Sequence, residues 1–336
     1  MTPSVSIILC SKDRPDDLTR AIASIRSCDE VGRQAELVVV EECSQARAIP
    51  GVRYVHLPPL GLGFGHARNT GLMAAGGDIL LFIDDDCRAV PGWASALVRH
   101  FSSDPSVLGV AGAVLVKDCG LIGHAEHILG FPGGGLRTVH EARGRVIPTR
   151  HLSTCNCAYR RTTLEQIGGF PEGTTWGGED ALVAERISAM GPCLFAPDAQ
   201  VYHRTRDGLG QIFLWFVRRG RSDVATIRYR TDRRRYVTGL LRHSWALKAI
   251  PIAGFMAVVP NPISLLSLMI LIYYGVLLRR YRFARQYHTH RKALWLVPIV
   301  KLVMDLGADV GRMMASFAKA STGTTRSSDP ETTTSP

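Results

Sequence analysis

The sequence predicts an α/β fold in which a largely parallel sheet is covered by helices, and two observations carry that expectation. Continuous apolar runs of strand length, VSIIL from Val5, LVVV from Leu37 and ILLFI from Ile79, alternate with stretches whose apolar residues recur at helical spacing. Two of the runs end abruptly in acids, Glu41-Glu42 and Asp84-Asp85-Asp86. Open sheets of this kind bind ligands beyond the carboxyl ends of their strands, where those acids fall.

The elements follow in order. After the first strand, Ser11 to Asp17 is polar and holds Pro15, which suits a helix start; Leu18, Ile22 and Ile25 then recur on one helical face. ELVVVEECS is the second strand and VRYVHL a short third. GLGFGHA is GxGxG rather than GxGxxG and follows Pro58-Pro59, so it reads as a turn and not as a dinucleotide fingerprint. GHARNTGLMAAGG suits a helix, and DILLFI is the fourth strand. From about Ala111 to Arg150 the pattern loosens, and GFPGGGLR reads as a mobile loop. STCNCAYRRTTLEQIGGF returns to strand and helix, with Gly168-Gly169 ending the helix. A second helix begins near Glu179, and CLFAPDAQVYHR is a strand running back to the ligand edge.

Beyond His243 the composition changes. Ala249 to Leu278 carries no charge, and Pro260-Asn261-Pro262 interrupts it. Each arm of about 16 residues reaches roughly 24 Å as a helix, short of a roughly 30 Å hydrocarbon core. Both flanks are rich in arginine, including Arg233, Arg234, Arg235 and Arg242 before the run and Arg279, Arg280, Arg282 and Arg285 after it. A hairpin dipping into a membrane from its cytoplasmic face accommodates both facts; helices packed on the preceding domain are the alternative. Residues 292–317 mix apolar and charged positions at helical spacing, and the tail is low-complexity. The expected organisation is therefore a domain over 1–240, with halves 1–110 and 111–240, a membrane-associating helical region over 241–318, and a disordered tail over 319–336.

The formal charge is +11 and the pI about 9.5, an excess that suits nucleic acid, anionic lipid or a phosphorylated substrate. Because the arginines flank an uncharged apolar run, lipid headgroups explain them better than nucleic acid does. The eight cysteines include no CxxC pair, and are expected to be reduced, mostly buried thiols of a cytosolic protein without a zinc site of their own; no signal peptide is expected ahead of a first strand that starts at Val5.

Three adjacent aspartates after a buried strand repel one another unless something neutralises them. A hard divalent cation binds one or two carboxylates plus phosphate oxygens, and residues alternate faces in an extended segment, so Asp84 and Asp86 share a side. Glu179 and Asp180 open a helix, where acids also serve simply as favourable first-turn residues.

Taken in order, VSIILCSKDRPDDL, VVVEECS, GHARNTGL, LLFIDDDCRAVPGW, CNCAYRRTTLEQIGGFPE and WGGEDALVAERI resemble the motifs of family-2 glycosyltransferases over roughly residues 4–225. The resemblance implies the GT-A fold, a Rossmann-like mixed sheet flanked by helices, and an inverting, metal-dependent transfer from a nucleotide-sugar. It implies that Ser11, Asp13 and Arg14 wrap the base, that Glu41 and Glu42 hold base and ribose, and that Arg68 and Asn69 touch the nucleotide. In its DXD-like motif Asp84 corresponds to the ribose-side acid, Asp85 lies on the donor, and Asp86 is the metal ligand, with His203 completing a site for Mn²⁺ or Mg²⁺. Asp180 corresponds to the general base, Glu179 and Trp176 to the acceptor side, and Arg221 to a donor-phosphate contact. The implied partners are a UDP- or dTDP-sugar, a lipid-linked or cell-envelope glycan acceptor and the cytoplasmic face of a membrane. Two other readings stand beside it. A sugar nucleotidyltransferase needs a glycine- and lysine-rich loop that CSKDRPDDL lacks, and a non-enzymatic basic membrane-bound protein needs no carboxylate constellation.

Overall fold

The computed structural model describes residues 3–258 and 260–323. The N-terminal half follows the expected alternation: β1 (Val5–Lys12), α1 (Pro15–Cys28), α2 (Glu30–Gln34), β2 (Glu36–Glu42), β3 (Arg53–Leu57), α3 (Phe64–Ala74) and β4 (Ile79–Asp84). Strands β3, β2, β1 and β4 lie side by side and parallel, in that order. Their register sets Ser11 beside Glu41 and Cys10 beside Asp84, so the polar tips reach one edge together.

The second half completes the sheet with β5 (Cys87–Ala89), α4 (Trp93–Ser103), β6 (Gly109–Leu115), α5 (Leu121–Ile128), α6 (Gly135–Ala142), β7 (Ile147–Pro148), β8 (Asn156–Arg160), α7 (Arg161–Gln166), α8 (Glu179–Met190) and β9 (Cys193–His203). Here β8 runs antiparallel to β4, β6 antiparallel to β8, β9 parallel to β6, and β5 antiparallel to β9. The alternation of the strands feeds two cores, one per face. Leu9, Val39 and Leu81 pack against α1 and α4, while Ile8, Val38, Val40 and Phe82 pack on the side of α3 and α8. Each such fully buried side chain contributes roughly 1.5–3 kcal/mol. Asn156 pins the start of β8: its Oδ1 accepts the Trp93 indole N–H at 2.8 Å, and its amide donates to the carbonyls of Ala113 (2.9 Å) and Ala199 (2.8 Å). A buried amide with its groups satisfied specifies one arrangement, and this one lies beside the ligand edge.

The stretch read as a loosening pattern is largely regular. Residues 111–150 contain β6, α5, α6 and β7, and α6 begins inside GFPGGGLR. The reason is tertiary. Ala125, Ile128 and Leu136 bury against Ile212 and Phe216 of α9 (Leu209–Thr226) and against Leu294, Val297, Val300 and Met304 of the C-terminal segment. That shared core also crosses the expected boundary at residue 240. Helix α10 (Arg233–His243) leads to α11 (Trp245–Val258), α12 (Pro262–Arg280) and α13 (Val297–Gly323), and α13 returns along α9. The backbones meet closely at glycines. A Cβ on Gly220 would stand 2.1 Å from the Ala308 carbonyl oxygen, and one on Gly311 2.0 Å from that of Val217.

The apolar run breaks where expected, with Asn261 accepting from the Ser264 amide and Pro262 in the first turn of α12. The second arm is longer than the sequence reading allowed, because the helix continues through Arg280. Its 19 residues reach about 29 Å, it is the one helix among the described residues long and apolar enough to cross a membrane, and 6% of its most apolar window is buried. Helix α13 extends to Gly323, into the expected tail; the rest of that tail lies outside the described residues.

Candidate active site

Asp84 ends β4, while Asp85 and Asp86 form the turn into β5, so the three are not the alternating extended segment expected, and Arg14 reaches both turn residues. Asp85 turns toward β1, where its carboxylate accepts the Ser11 hydroxyl at 2.8 Å and the Arg14 guanidinium at 3.1 Å. Asp84 accepts the Cys155 thiol at 3.0 Å and Arg68 at 3.4 Å. Asp86 accepts Arg14 at 3.2 Å and stands 3.2 Å from His203 Nε2. Burial, with the neighbouring thiol and then Asp86 adding to it, holds Asp84 well above the usual carboxylate range despite Arg68; burial and Asp86 also raise Asp85. Carboxyls pushed up in this way mark a pocket short of positive charge.

His203 ends β9, and the β5–β9 register pairs it with Cys87. Its Nδ1 donates to the Arg204 carbonyl, which leaves Nε2 to face Asp86. A ring held by a carbonyl on one nitrogen and open on the other is how a metal-ligating imidazole is oriented. Burial opposes charging of this ring, but Asp86, Cys155 and Asp84 outweigh it and push His203 up to about 10. Ligand atoms of Asp84, Cys155 and His203 lie within 4.8 Å of one another, as do those of Asp86, Cys87 and His203. Carboxylates and an imidazole nitrogen facing them are a donor set that fits a divalent cation such as Mn²⁺, which would take the place of the ring proton.

Across the crevice, α8 starts after Gly177 (φ 96°) and Gly178 (φ 91°), a left-handed pair that only glycine adopts readily. Ser222 of α9 donates to the Gly177 carbonyl at 2.6 Å and fixes this turn. Asp180, in the first turn of α8, is half-buried; one oxygen accepts the Ala181 amide at 2.8 Å and the other has only a long 3.4 Å contact from Ser153. That second oxygen is available to take a proton.

Several expected roles are corrected. Glu41 does not face the crevice: it is buried, accepts two bonds from Arg47 (2.7 and 2.5 Å) and one from Tyr54 (2.9 Å), and belongs to the face of Val39. Adjacent strand residues point to opposite faces, so Glu42 alone turns toward the crevice, where it holds Lys12 at 2.7 Å and the Gly61 amide at 3.0 Å. Asn69 is spent on structure, donating to Phe170 O and Glu172 and accepting the Phe170 amide at 2.8 Å. Glu179 is not on an open acceptor surface. It is 3% exposed and ion-paired with Arg68, while its second oxygen is buried without a partner among the described residues. Arg68, held between Glu179 and Asp84, is thereby a buried strut of the site. Arg221 lies over the Trp176 ring at 4.6 Å and reaches Met314 of α13, at the rim and away from the aspartates. Trp176 is 41% exposed there. Asp13 is exposed with φ 52° and makes the turn that carries Arg14 to the aspartates.

The sequence reading assigned no site role to Cys155 and Cys87, which it grouped with the reduced, mostly buried thiols. The usable signal was CNC at a strand start: the β4–β8 pairing sets Ile83 opposite Asn156 and so brings Cys155 to Asp84.

Residues 6–168 match the family model described as Glycosyl transferase family 2, and residues 136–206 match one described as N-terminal domain of galactosyltransferase. The Pre-mycofactocin glycosyltransferase of Mycobacterium tuberculosis is 27% identical over 212 residues, covering 61% of this chain and 43% of that protein. The O-antigen biosynthesis protein RfbC of Myxococcus xanthus is also 27% identical over 212 residues, covering 56% of this chain and 16% of that protein. The chain thus spans less than half the length of either relative. Among solved structures, the mannosyltransferase PcManGT from Pyrobaculum calidifontis, in complex with GDP-Man and Mn²⁺, superposes with a TM-score of 0.56 at 20% identity, over 91% of this chain and 88% of that one.

Proposed function

We propose, for a chain whose residues 6–168 match glycosyl transferase family 2 and whose sheet is of the GT-A type, inverting transfer of a sugar from a nucleoside-diphosphate donor to an acceptor hydroxyl. The observation that carries this reading is the approach of Asp84 on one side and Asp86 on the other to His203, with the half-buried carboxylate of Asp180 at the start of α8.

Asp84, Asp86 and His203 would hold a divalent cation, Mn²⁺ or Mg²⁺, and such an ion supplies charge stabilisation to a departing diphosphate. The chain's own groups do the rest. Glu42 and Lys12 line the donor side, and Arg14 is positioned by Asp85 and Asp86 at the pocket mouth. Asp180 takes the proton of the acceptor hydroxyl as that oxygen attacks the anomeric carbon and the bond to the diphosphate breaks. One displacement inverts the anomeric centre without a covalent sugar-enzyme intermediate. Burial of Glu179 and Arg68 keeps the two carboxylate groups in register through a side-chain strut.

The acceptor in this reading is a lipid-linked or cell-envelope glycan, presented at the cytoplasmic face of a membrane. Its support is the exposed apolar surface of α12, including Ile263, Leu271 and Val276, and the exposed stripe Ile299, Leu302, Leu306, Met313 and Phe317 along α13. Arg279 and Arg280 end α12 and Arg282 and Arg285 follow it, where anionic headgroups would meet them.

The test is release of nucleoside diphosphate by the full chain with Mn²⁺ and a panel of UDP-, dTDP- and GDP-sugars. Asp86→Ala is expected to lower turnover by on the order of 10²–10³-fold, and Asp180→Asn by on the order of 10²–10⁴-fold. Undiminished turnover in either variant would remove the proposed chemistry from these residues.

A further inference from the structure

Cys155 is a thiol that meets carboxylate and imidazole groups of the proposed cation site. It lies one residue before β8, directly across from the tip of β4. Its Sγ is 3.0 Å from Asp84 Oδ2, and that sulfur, an Asp84 oxygen and a ring nitrogen of His203 fall within 4.8 Å of one another. Donors bound to a common ion at roughly 2.0–2.3 Å stand at most about 4.5 Å apart. Sγ and Oδ2 already stand at a separation that one ion can span, and the ring nitrogen lies near both. Their frame is rigid: Asn156, the next residue, is tied to Trp93, Ala113 and Ala199, and His203 is oriented by the Arg204 carbonyl. Cys155 is also half-exposed, whereas Cys87 behind it is fully buried.

Resting on the cation reading of the same site, we propose that Cys155 is a sulfur ligand to the ion held by Asp84, Asp86 and His203. The sulfur ligates as thiolate and His203 as neutral imidazole, so whatever protons these groups carry leave to solvent as the metal–ligand bonds form. The consequence is metal selectivity. Magnesium demands oxygen ligands in near-octahedral order, thiolate with imidazole suits borderline ions such as Co²⁺ and Zn²⁺, and Mn²⁺, though it prefers oxygen, accepts nitrogen and sulfur more readily than Mg²⁺ does. Cys155 thus sets which cation the enzyme uses rather than whether it uses one.

The experiment is a Co²⁺ titration of the chelator-treated full chain, followed by absorption spectroscopy, with Cys155→Ser, Cys155→Ala and Cys87→Ser in parallel. Cobalt reports its ligands separately: visible ligand-field bands show that it is bound, and a near-ultraviolet charge-transfer band shows a thiolate attached. The expected result is both bands in the parent and in Cys87→Ser, and ligand-field bands without the charge-transfer band in both Cys155 variants. In competition titrations the Mn²⁺ over Mg²⁺ preference should fall by about tenfold or more in Cys155→Ser, the scale on which losing a partner of a metal site acts. Ligand-field bands with no thiolate band in the parent, or a thiolate band that survives both Cys155 substitutions, would overturn the sulfur assignment while leaving the cation reading intact. No cobalt bands in the parent would overturn both.

Discussion

Glu179→Gln tests the buried frame that ties the base side of the crevice to the aspartates. Arg68 is 6% exposed and Glu179 3%, and their side chains are in direct contact. Removing one partner of a buried ion pair costs about 3–5 kcal/mol, because the other charge is left in a poorly solvated place. Two features of this site move the figure. Arg68 keeps Asp84 at 3.4 Å, which lowers the cost. The glutamine amide lands where Glu179 already has a buried, unpartnered oxygen, and an unsatisfied donor there adds about 1–3 kcal/mol. The net expectation is a loss of about 3 kcal/mol, or about 6–12 °C in melting temperature at about 2–4 °C per kcal/mol. Arg68→Met should cost a similar amount by stranding Glu179. The double variant Arg68→Met with Glu179→Leu should cost less than the sum by at least about 2 kcal/mol, because neither charge then remains. The assay is urea and thermal unfolding of all four proteins by far-ultraviolet circular dichroism. Single variants within about 0.5 kcal/mol of the parent, with additive effects in the double, would refute the claim that this pair is a buried strut.

Three further outcomes are expected. Burial pushes His127 down to about 3 and His290 down to about 4, so both stay neutral in the fold, whereas the unfolded chain charges them below about 6.5. Their contribution is therefore complete above about pH 6.5 and is lost as pH falls toward 3–4; at pH 5 His127 alone accounts for about 2 kcal/mol. Urea unfolding at pH 7 and pH 5 checks this, and a pH dependence left unchanged in His127→Gln would contradict it. Gly311→Ala forces a methyl against the Val217 carbonyl, so α13 should separate from α9 at a cost of about 1–3 kcal/mol, read as faster amide exchange along α13; unchanged exchange would show that the helices yield freely. Flotation with vesicles containing anionic lipid should capture the full chain and weaken in high salt, and Leu271→Glu with Ile272→Glu should reduce capture; equal recovery with neutral vesicles would argue against the arginine flank as a headgroup contact.

Much of the fold was legible because it depends on local periodicity. The strands at Val5, Glu36 and Ile79 announce themselves as apolar runs, and helix starts at Pro15 and Glu179 carry their own signals. The residues 111–150 were not legible for the opposite reason. Glycines and prolines there read as loop, yet α5 and α6 form because Ile128 and Leu136 find partners far along the chain, in the segment around Val297 and Val300. Local propensity is a weak prior that such packing overrides.

The site divides in the same way. By itself the sequence determined that acids cluster at the ends of the second and fourth strands and that an acid pair opens the helix at Glu179, because those facts follow from residue order alone. Only the tertiary structure decided that Glu41 is consumed by Arg47, that Asn69 is tied to Phe170, that Glu179 is buried on Arg68, and that Cys155 stands against Asp84. Each of those contacts joins residues whose meeting depends on strand order and helix docking, and no local spacing encodes which side chain arrives first at a shared partner.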